Sequence, residues 1–194
     1  MQQHDARNSH EVARSHPIRI HRSSSSLVRS LTSLIVAPVR NGLGLRAAVG
    51  FRPNRTIIKI VGRVVDAGIL WDRGGTFADN CFRFGPETYL DPGNEAGRYL
   101  NHSCEPNAGI RKNRNQLFLF AAHAISRGDE IAIDYSTILG DDDIWTMTCQ
   151  CGGRSCRGTI RRFGTLPLDL KRDYVRRGLV PKYILATLRR NVSP

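Results

Sequence analysis

Apolar and polar positions alternate with the period of a strand in Glu130-Ile131-Ala132-Ile133-Asp134-Tyr135. The β-branched runs Thr56-Ile57-Ile58-Lys59-Ile60-Val61 and Arg63-Val64-Val65 predict two more strands on either side of Gly62. Gln116 to Ala122 is a further strand, and short ones are expected at Cys81 to Phe84 and near Tyr89-Leu90. Turns fall at Asp91-Pro92-Gly93-Asn94 and Ser126-Arg127-Gly128-Asp129, and Glu95 to Leu100 suits one helical turn. Residues 66–80 mix Gly, Asp and polar positions and predict a loop or ragged hairpin. Order begins near Leu34, and Asn41-Gly42-Leu43-Gly44-Leu45 is a turn signal where backbone can approach a ligand closely. Helical patterning is confined to the end of the chain, at Leu168 to Arg177 and Pro181 to Arg190, broken at Gly178. The expected class is mostly β, built from many short strands with two short C-terminal helices.

Residues 1–33 show no sustained period and include Ser23-Ser24-Ser25-Ser26. They predict a basic disordered tail rather than an organelle transit peptide, which Asp5 and Glu11 weaken. The 194 residues suffice for one domain with a real core, and no window approaches ~18 uninterrupted apolar residues, which disfavours a membrane span. The net charge of +12 lies at the ends of the chain. Six arginines against Asp5 and Glu11 give residues 1–40 a net +4, while thirteen basic and thirteen acidic side chains cancel over 41–156. Ten basic residues against Asp169 and Asp173 give 157–194 a net +8. Basic ends can attract polyanions, but Arg-rich solvated surface explains them equally, so nucleic acid is a possible partner and not an indicated one.

Cys149, Cys151 and Cys156 crowd into eight positions with Gly152 and Gly153 between them. That spacing lets the backbone fold round one ion, and an odd total of five cysteines argues against a secreted disulfide scaffold. Thiolate ligation in a reducing intracellular compartment follows. Cys104 is the best fourth ligand, with Cys81 the alternative. Cys104 also lies in the dense stretch Asn101-His102-Ser103-Cys104-Glu105-Pro106-Asn107. A nucleophile–base pair of Cys104 and His102 is disfavoured, because a separation of one residue rarely points two side chains at one site.

Asn101 to Asn107 resembles the Asn-His-Ser-Cys-x-Pro-Asn signature of SET-domain protein-lysine methyltransferases. Gly128-Asp129-Glu130-Ile131-Ala132-Ile133-Asp134-Tyr135 is similar to the family's Gly-Glu-Glu-Leu-x-x-Asp-Tyr element. Cys149-Gln150-Cys151-Gly152 through Cys156-Arg157-Gly158 resembles its post-SET zinc motif, and Asn41 to Ala47 occupies the place of its Gly-x-Gly. Four motifs in order cover roughly residues 34–160. The resemblance implies a β-clip-like SET fold with a pseudoknot, in a small stand-alone form. Its parts would be a tail (1–33), a SET domain (34–139), a zinc-stapled post-SET segment (140–160) and a basic helical extension (161–194).

The implied activity is methyl transfer from S-adenosyl-L-methionine to a lysine of a protein substrate. The competing reading is a non-catalytic SET-fold zinc module that binds protein or nucleic acid through its basic ends. By the resemblance, Gly42, Leu43, Gly44, Leu45, Asn101, His102 and Tyr135 contact the cofactor, Tyr135 is catalytic, and Cys104, Cys149, Cys151 and Cys156 hold a structural zinc ion. Ile60 and Ile133 stand where many members carry hydroxylated or aromatic pocket residues, so a pocket lined by both would permit multiple methylation. Ile160 and Phe163 could cover an adenine ring or pack ordinarily, and Asp141-Asp142-Asp143 suits a solvated loop. A monomer without membrane attachment is expected.

Overall fold

The structure, a computed structural model, describes residues 33–73 and 79–190; the expected tail lies almost wholly outside them. Strands β1 (Leu34–Val39) and β2 (Gly42–Ala47) form a hairpin, with Val39 opposite Gly42 across a two-residue turn at Arg40-Asn41. The Gly-x-Gly therefore lies on a strand just past the turn. Next come β3 (Thr56–Ile60) and β4 (Arg63–Asp66), then a short helix α1 (Ala67–Arg73) where a loop was expected. Its anchor is Leu70, buried with Val65 and Tyr89. Ile69, Leu70 and Trp71 run consecutively between Gly68 and Asp72, which leaves no helical spacing to read.

Strands β5 (Phe82–Arg83) and β6 (Thr88–Asp91) follow, then a 3-10 turn at Ala96–Tyr99 and β7 (Asn101–His102). Strands β8 (Ala108–Asn113) and β9 (Gln116–Ala121) pair as a hairpin. No strand was expected at β8, where Ile110 is the only large apolar side chain. Strand β10 (Glu130–Ile133) leads into a 3-10 turn at Tyr135–Ile138. A small pair β11 (Met147–Thr148) and β12 (Thr159–Ile160) encloses the cysteine segment, and α2 (Leu168–Arg176) and α3 (Lys182–Arg190) close the chain.

Besides the β11-β12 pair, the described residues form three larger sheets, ordered β1-β2-β10-β7, β3-β9-β8 and β4-β6-β5. Leu45, Ile131 and Ile133 from the first sheet, with Ile58, Ile60, Ile110, Leu117 and Leu119 from the second, make one apolar core. Phe120 instead packs with Phe163, Leu166, Tyr174, Leu179 and Ile184 of the C-terminal segment. Strand β9 is thus buried on both faces, which explains its continuous apolar run. In the first sheet, β10 pairs antiparallel with β2 and parallel with β7, Ile133 lying opposite His102. Beyond β7, Asn107 continues the pairing with its side chain. Its Nδ2 donates to Glu130 O at 2.7 Å, and its Oδ1 accepts from Ala132 N at 2.9 Å.

Asp141 to Asp143 is not the solvated run expected of three consecutive acids. Arg83, 2% exposed, donates from Nη1 to Asp142 Oδ1 at 2.6 Å and to Asp143 Oδ2 at 2.8 Å. Its Nη2 donates to Asp142 Oδ2 at 2.7 Å. Asp143 is buried and also accepts from the Tyr89 hydroxyl and, at 2.5 Å, from Gly140 N. A Cβ on Gly140 would stand 2.6 Å from Arg83 Nη1, so only glycine lets the loop come this close. Breaking a buried ion pair from one side leaves an uncompensated charge. Arg83→Leu is therefore expected to lower the unfolding free energy by about 3–5 kcal/mol in urea denaturation. A loss under about 1 kcal/mol would mean that Tyr89 and Gly140 alone satisfy Asp143.

Candidate active site and metal centre

The parallel β7–β10 pair sets the geometry of the site. Ser103 N donates to Ile133 O at 2.8 Å, after which the chain bends away and carries Cys104 beneath His102. The bend defeats the spacing argument that kept these two side chains apart: His102 Nε2 lies 3.3 Å from Cys104 Sγ. The other ring nitrogen, Nδ1, accepts from Tyr135 N at 3.1 Å, so the proton sits on Nε2 and points at sulfur. Burial depresses the imidazole to about 4, a shift opposed by Asp134 and reinforced by Arg157, so His102 is neutral near pH 7. Both ring nitrogens are engaged within the protein, which leaves the main chain of His102 for any contact with a cofactor.

His102, Cys104, Cys149 and Cys151 bring their ligating atoms within 4.8 Å of one another. Cys104 Sγ and Cys149 Sγ are 3.7 Å apart. Tetrahedral zinc with Zn–S bonds of ~2.3 Å separates its sulfurs by ~3.8 Å, so this pair suits such an ion. Cys156 is exposed, outside that tight group, yet its thiol interacts with those of Cys149 and Cys151. Burial raises the Cys149 thiol strongly. Burial also raises Cys151, but main-chain hydrogen bonds at Cys104 and Gly153 and the neighbouring thiols outweigh it and bring Cys151 to about 7. Clustered thiols that cannot all ionise side by side are the donor set a thiophilic cation would relieve. None of the five cysteines is in a disulfide, and Cys81, its thiol raised to about 12 mainly by burial, lines the cleft described below instead.

Tyr135 lies two residues past β10, after Asp134. Its hydroxyl donates to Leu100 O at 2.7 Å, and burial raises its pKa, so it remains a neutral phenol. The ring lies 5.3 Å from that of His102 and 6.3 Å from that of Trp145, tilted to both. Tyr135 forms part of a narrow cleft with about 40 Å³ of free space, walled by Phe82, Leu100, Leu139, Asp143 and Trp145. Across it, Trp145 Nε1 donates to Asp79 Oδ1 at 2.7 Å. Ile60 and Ile133, expected in the pocket, are 1% and 0% exposed and belong to the central core. Neither lines the cleft, so the expectation of multiple methylation loses its structural basis. Ile160 and Phe163 are likewise packed in apolar clusters, not presented to a ligand.

The side of the first sheet that carries the Gly-x-Gly is more open. Gly42 and Leu43 are exposed, and Leu45 is core, able to offer only its main chain. Asn101 Nδ2 donates to Leu43 O at 3.2 Å and to Glu130 Oε1 at 3.0 Å. A Cβ on Gly44 would approach Asn101 Nδ2 to 2.8 Å, so the glycine makes room for this amide. Glu130, which the sequence offered only as an acid that could line a substrate groove, is the partner of the Asn101 amide. Uncovered strand backbone beside a fixed amide–carboxylate pair fits a polar, partly cationic ligand such as S-adenosyl-L-methionine.

Asp134, 1% exposed, had no role assigned from sequence, yet it joins three segments. It accepts from Ser136 N at 3.0 Å, from Arg157 Nη2 at 2.7–2.8 Å and from the Tyr174 hydroxyl at 3.0 Å. Arg157 N also donates to Cys104 Sγ at 3.4 Å. The sequence signals were the Asp134-Tyr135 element itself and the arginine directly after Cys156, and Tyr174 carried none.

The SET domain family model matches residues 42–136. "Histone-lysine N-methyltransferase, H3 lysine-36 specific" of Cryptococcus neoformans var. neoformans serotype D is 30% identical over 138 residues, covering 65% of this chain and 16% of that protein. "Histone-lysine N-methyltransferase set-2" of Caenorhabditis elegans is 28% identical over 133 residues, covering 62% of this chain. The chain thus spans only 16% and 9% of these relatives' lengths. Among solved structures, the methyltransferase domain of human Histone-lysine N-methyltransferase SETMAR superposes with a TM-score of 0.54 at 28% identity, covering 64% of this chain and 56% of that one. KRYPTONITE, in complex with mCHG DNA and SAH, shares the fold with a TM-score of 0.50 at 24% identity, covering 64% of this chain and 28% of its own. Residues 42–136 therefore match a SET domain, and over that stretch the chain is similar to SET-domain methyltransferases.

Proposed function

We propose that this protein transfers a methyl group from S-adenosyl-L-methionine to the side-chain amine of a lysine in a protein substrate. The observation that carries the reading is Tyr135, held as a neutral phenol in a narrow cleft, one strand pairing away from Asn101 and the Gly42–Leu45 backbone. Relatives that carry the same domain are named histone-lysine N-methyltransferases, which supports lysine as the acceptor. When bound, the cofactor supplies an electrophilic methyl carbon on a cationic sulfur. Asn101, Glu130 and the main chain of Gly42 to Leu45 and His102 would hold it.

The remaining chemistry falls to the cleft. A lysine of reference pKa ~10.4 is cationic at pH 7, and removing its proton costs roughly 4–5 kcal/mol. Walls such as Phe82, Leu100 and Leu139 disfavour the ammonium by desolvation. The cleft is narrow, which restricts the direction from which the amine enters. Because the Tyr135 hydroxyl already donates to Leu100 O, its lone pairs are left to accept from the amine or from polarised C–H groups.

For the metal, Cys104, Cys149, Cys151 and Cys156 would hold zinc, with His102 Nε2–H donating to the Cys104 sulfur. The ion would be structural, stapling the segment around β11 and β12 to β7. Cys104 then serves both halves of the site, since it lies two residues from His102 and receives Arg157 N.

Two measurements test this. Tritium transfer from labelled cofactor to mixed core histones should fall about tenfold or more in Tyr135→Phe, at least about 1.4 kcal/mol of transition-state stabilisation. Unchanged transfer would remove Tyr135 from the mechanism. A wild-type protein that binds no cofactor in calorimetry would instead favour the non-catalytic binding module. Cys104→Ser should lower zinc stoichiometry and cofactor affinity together, and loss of one without the other would break the proposed coupling.

A further inference from the structure

Three hydroxyl side chains on the C-terminal helices reach out of an apolar interface, and each ends on a residue that lines the Tyr135 cleft or lies within two residues of one that does. Tyr174, on α2, is buried among Phe120, Phe163, Leu179 and Ile184. Its hydroxyl lies 3.0 Å from Asp134 Oδ2 and 3.3 Å from Cys104 O. Asp134 directly precedes Tyr135, and its carboxylate caps the 3-10 turn that Tyr135 begins. Tyr183, on α3, donates from its hydroxyl to Arg83 O at 2.7 Å. Arg83 and its neighbour Phe82 line one wall of the cleft. Thr187, one turn further along α3, accepts from Asp141 N at 2.9 Å while its own hydroxyl donates to Ile184 O at 2.7 Å. Asp141 starts the loop that carries Asp143 to Arg83 and Trp145 to another wall of the cleft.

Helix packing alone does not call for these groups. Phenylalanine or valine would fill the same space, and a buried hydroxyl is costly unless it is hydrogen-bonded. Each of the three is satisfied at a point that fixes the cleft: the pivot of Tyr135, the β5 wall and the base of the Trp145 loop. We propose that the C-terminal helices are a positioning clamp for the substrate cleft, with Tyr174 setting the catalytic tyrosine while Tyr183 and Thr187 set the distance between the walls. The proposal rests on the methyltransferase reading for its kinetic consequences, but its geometric content is independent of turnover.

The clamp assigns different defects to its parts. With mixed core histones as acceptor, Tyr174→Phe should lower kcat about five- to tenfold and change KM less than twofold. Tyr183→Phe and Thr187→Val should raise the acceptor KM about three- to tenfold with kcat nearly constant, and Thr187→Ser should restore it. These sizes correspond to single hydrogen bonds of about 0.5–1.5 kcal/mol. The second readout needs no activity. Trp71 and Trp145 are the chain's two tryptophans, so in a full-length Trp71→Phe background the emission reports Trp145 alone. Tyr183→Phe and Thr187→Val should shift that emission, and Thr187→Ser should not. If the variants lower only the thermal midpoint, with Trp145 emission and both kinetic constants at wild-type values, the helices merely pack and the clamp is wrong. If the wild-type protein transfers no methyl group, the proposed function fails while the Trp145 emission still decides the clamp.

Discussion

A carboxylate with no access to water must be compensated wholly by the protein, and Asp134 is the group on which this structure discharges that requirement. Isolated, it would cost several kcal/mol to bury. Its partners come from three places in the chain: Ser136 from the turn after β10, Arg157 from the cysteine segment and Tyr174 from α2. Three successive stretches of sequence are therefore tied to a single charge. The residue beside it is Tyr135, so the site that needs the most exact placement sits at the most constrained point of the backbone.

The cysteine cluster and the carboxylate reinforce each other. Arg157 donates its main-chain N–H to Cys104 sulfur and its guanidinium to Asp134. His102 bridges in the same way, from Tyr135 N on one side to Cys104 on the other. A change in charge at the sulfurs is felt at the turn that holds Tyr135 through two short paths. Arg83 performs the analogous task at the far wall, where Asp142 and Asp143 would otherwise repel each other.

Much of this was legible in the sequence, because residues with chemistry cluster at fixed spacings. Asn101 to Asn107, the alternating strand ending in Asp134-Tyr135 and the three close cysteines each declare a constraint locally. Strand β9 declared itself as a continuous apolar run. What stayed hidden depends on partners distant in sequence. Asp143 looks like one of three solvated acids until Arg83, sixty positions earlier, is placed against it. Ile60 and Ile133 look like pocket residues because their motif positions suggest it, yet both side chains complete the core. Strand β8 has too few apolar positions to reveal itself, and Tyr174 is one aromatic in a charged helix whose function lies in one oxygen atom. Periodicity reports which face is buried, not what a buried polar atom will meet.

The pairing of β7 with β10 bears on how the protein reaches its native state. Hairpins such as β1–β2 and β8–β9 join neighbouring residues, whereas His102 must find Ile133 across some thirty residues of chain. Closing a loop of that length costs about 3 kcal/mol of chain entropy, and a strand of two residues returns few hydrogen bonds for it. The pair can persist only once Asn107, Asp134 and the sulfur cluster are in place around it. The same pair brings Asn101, His102 and Tyr135 together, so the site is assembled by contacts between residues far apart in sequence.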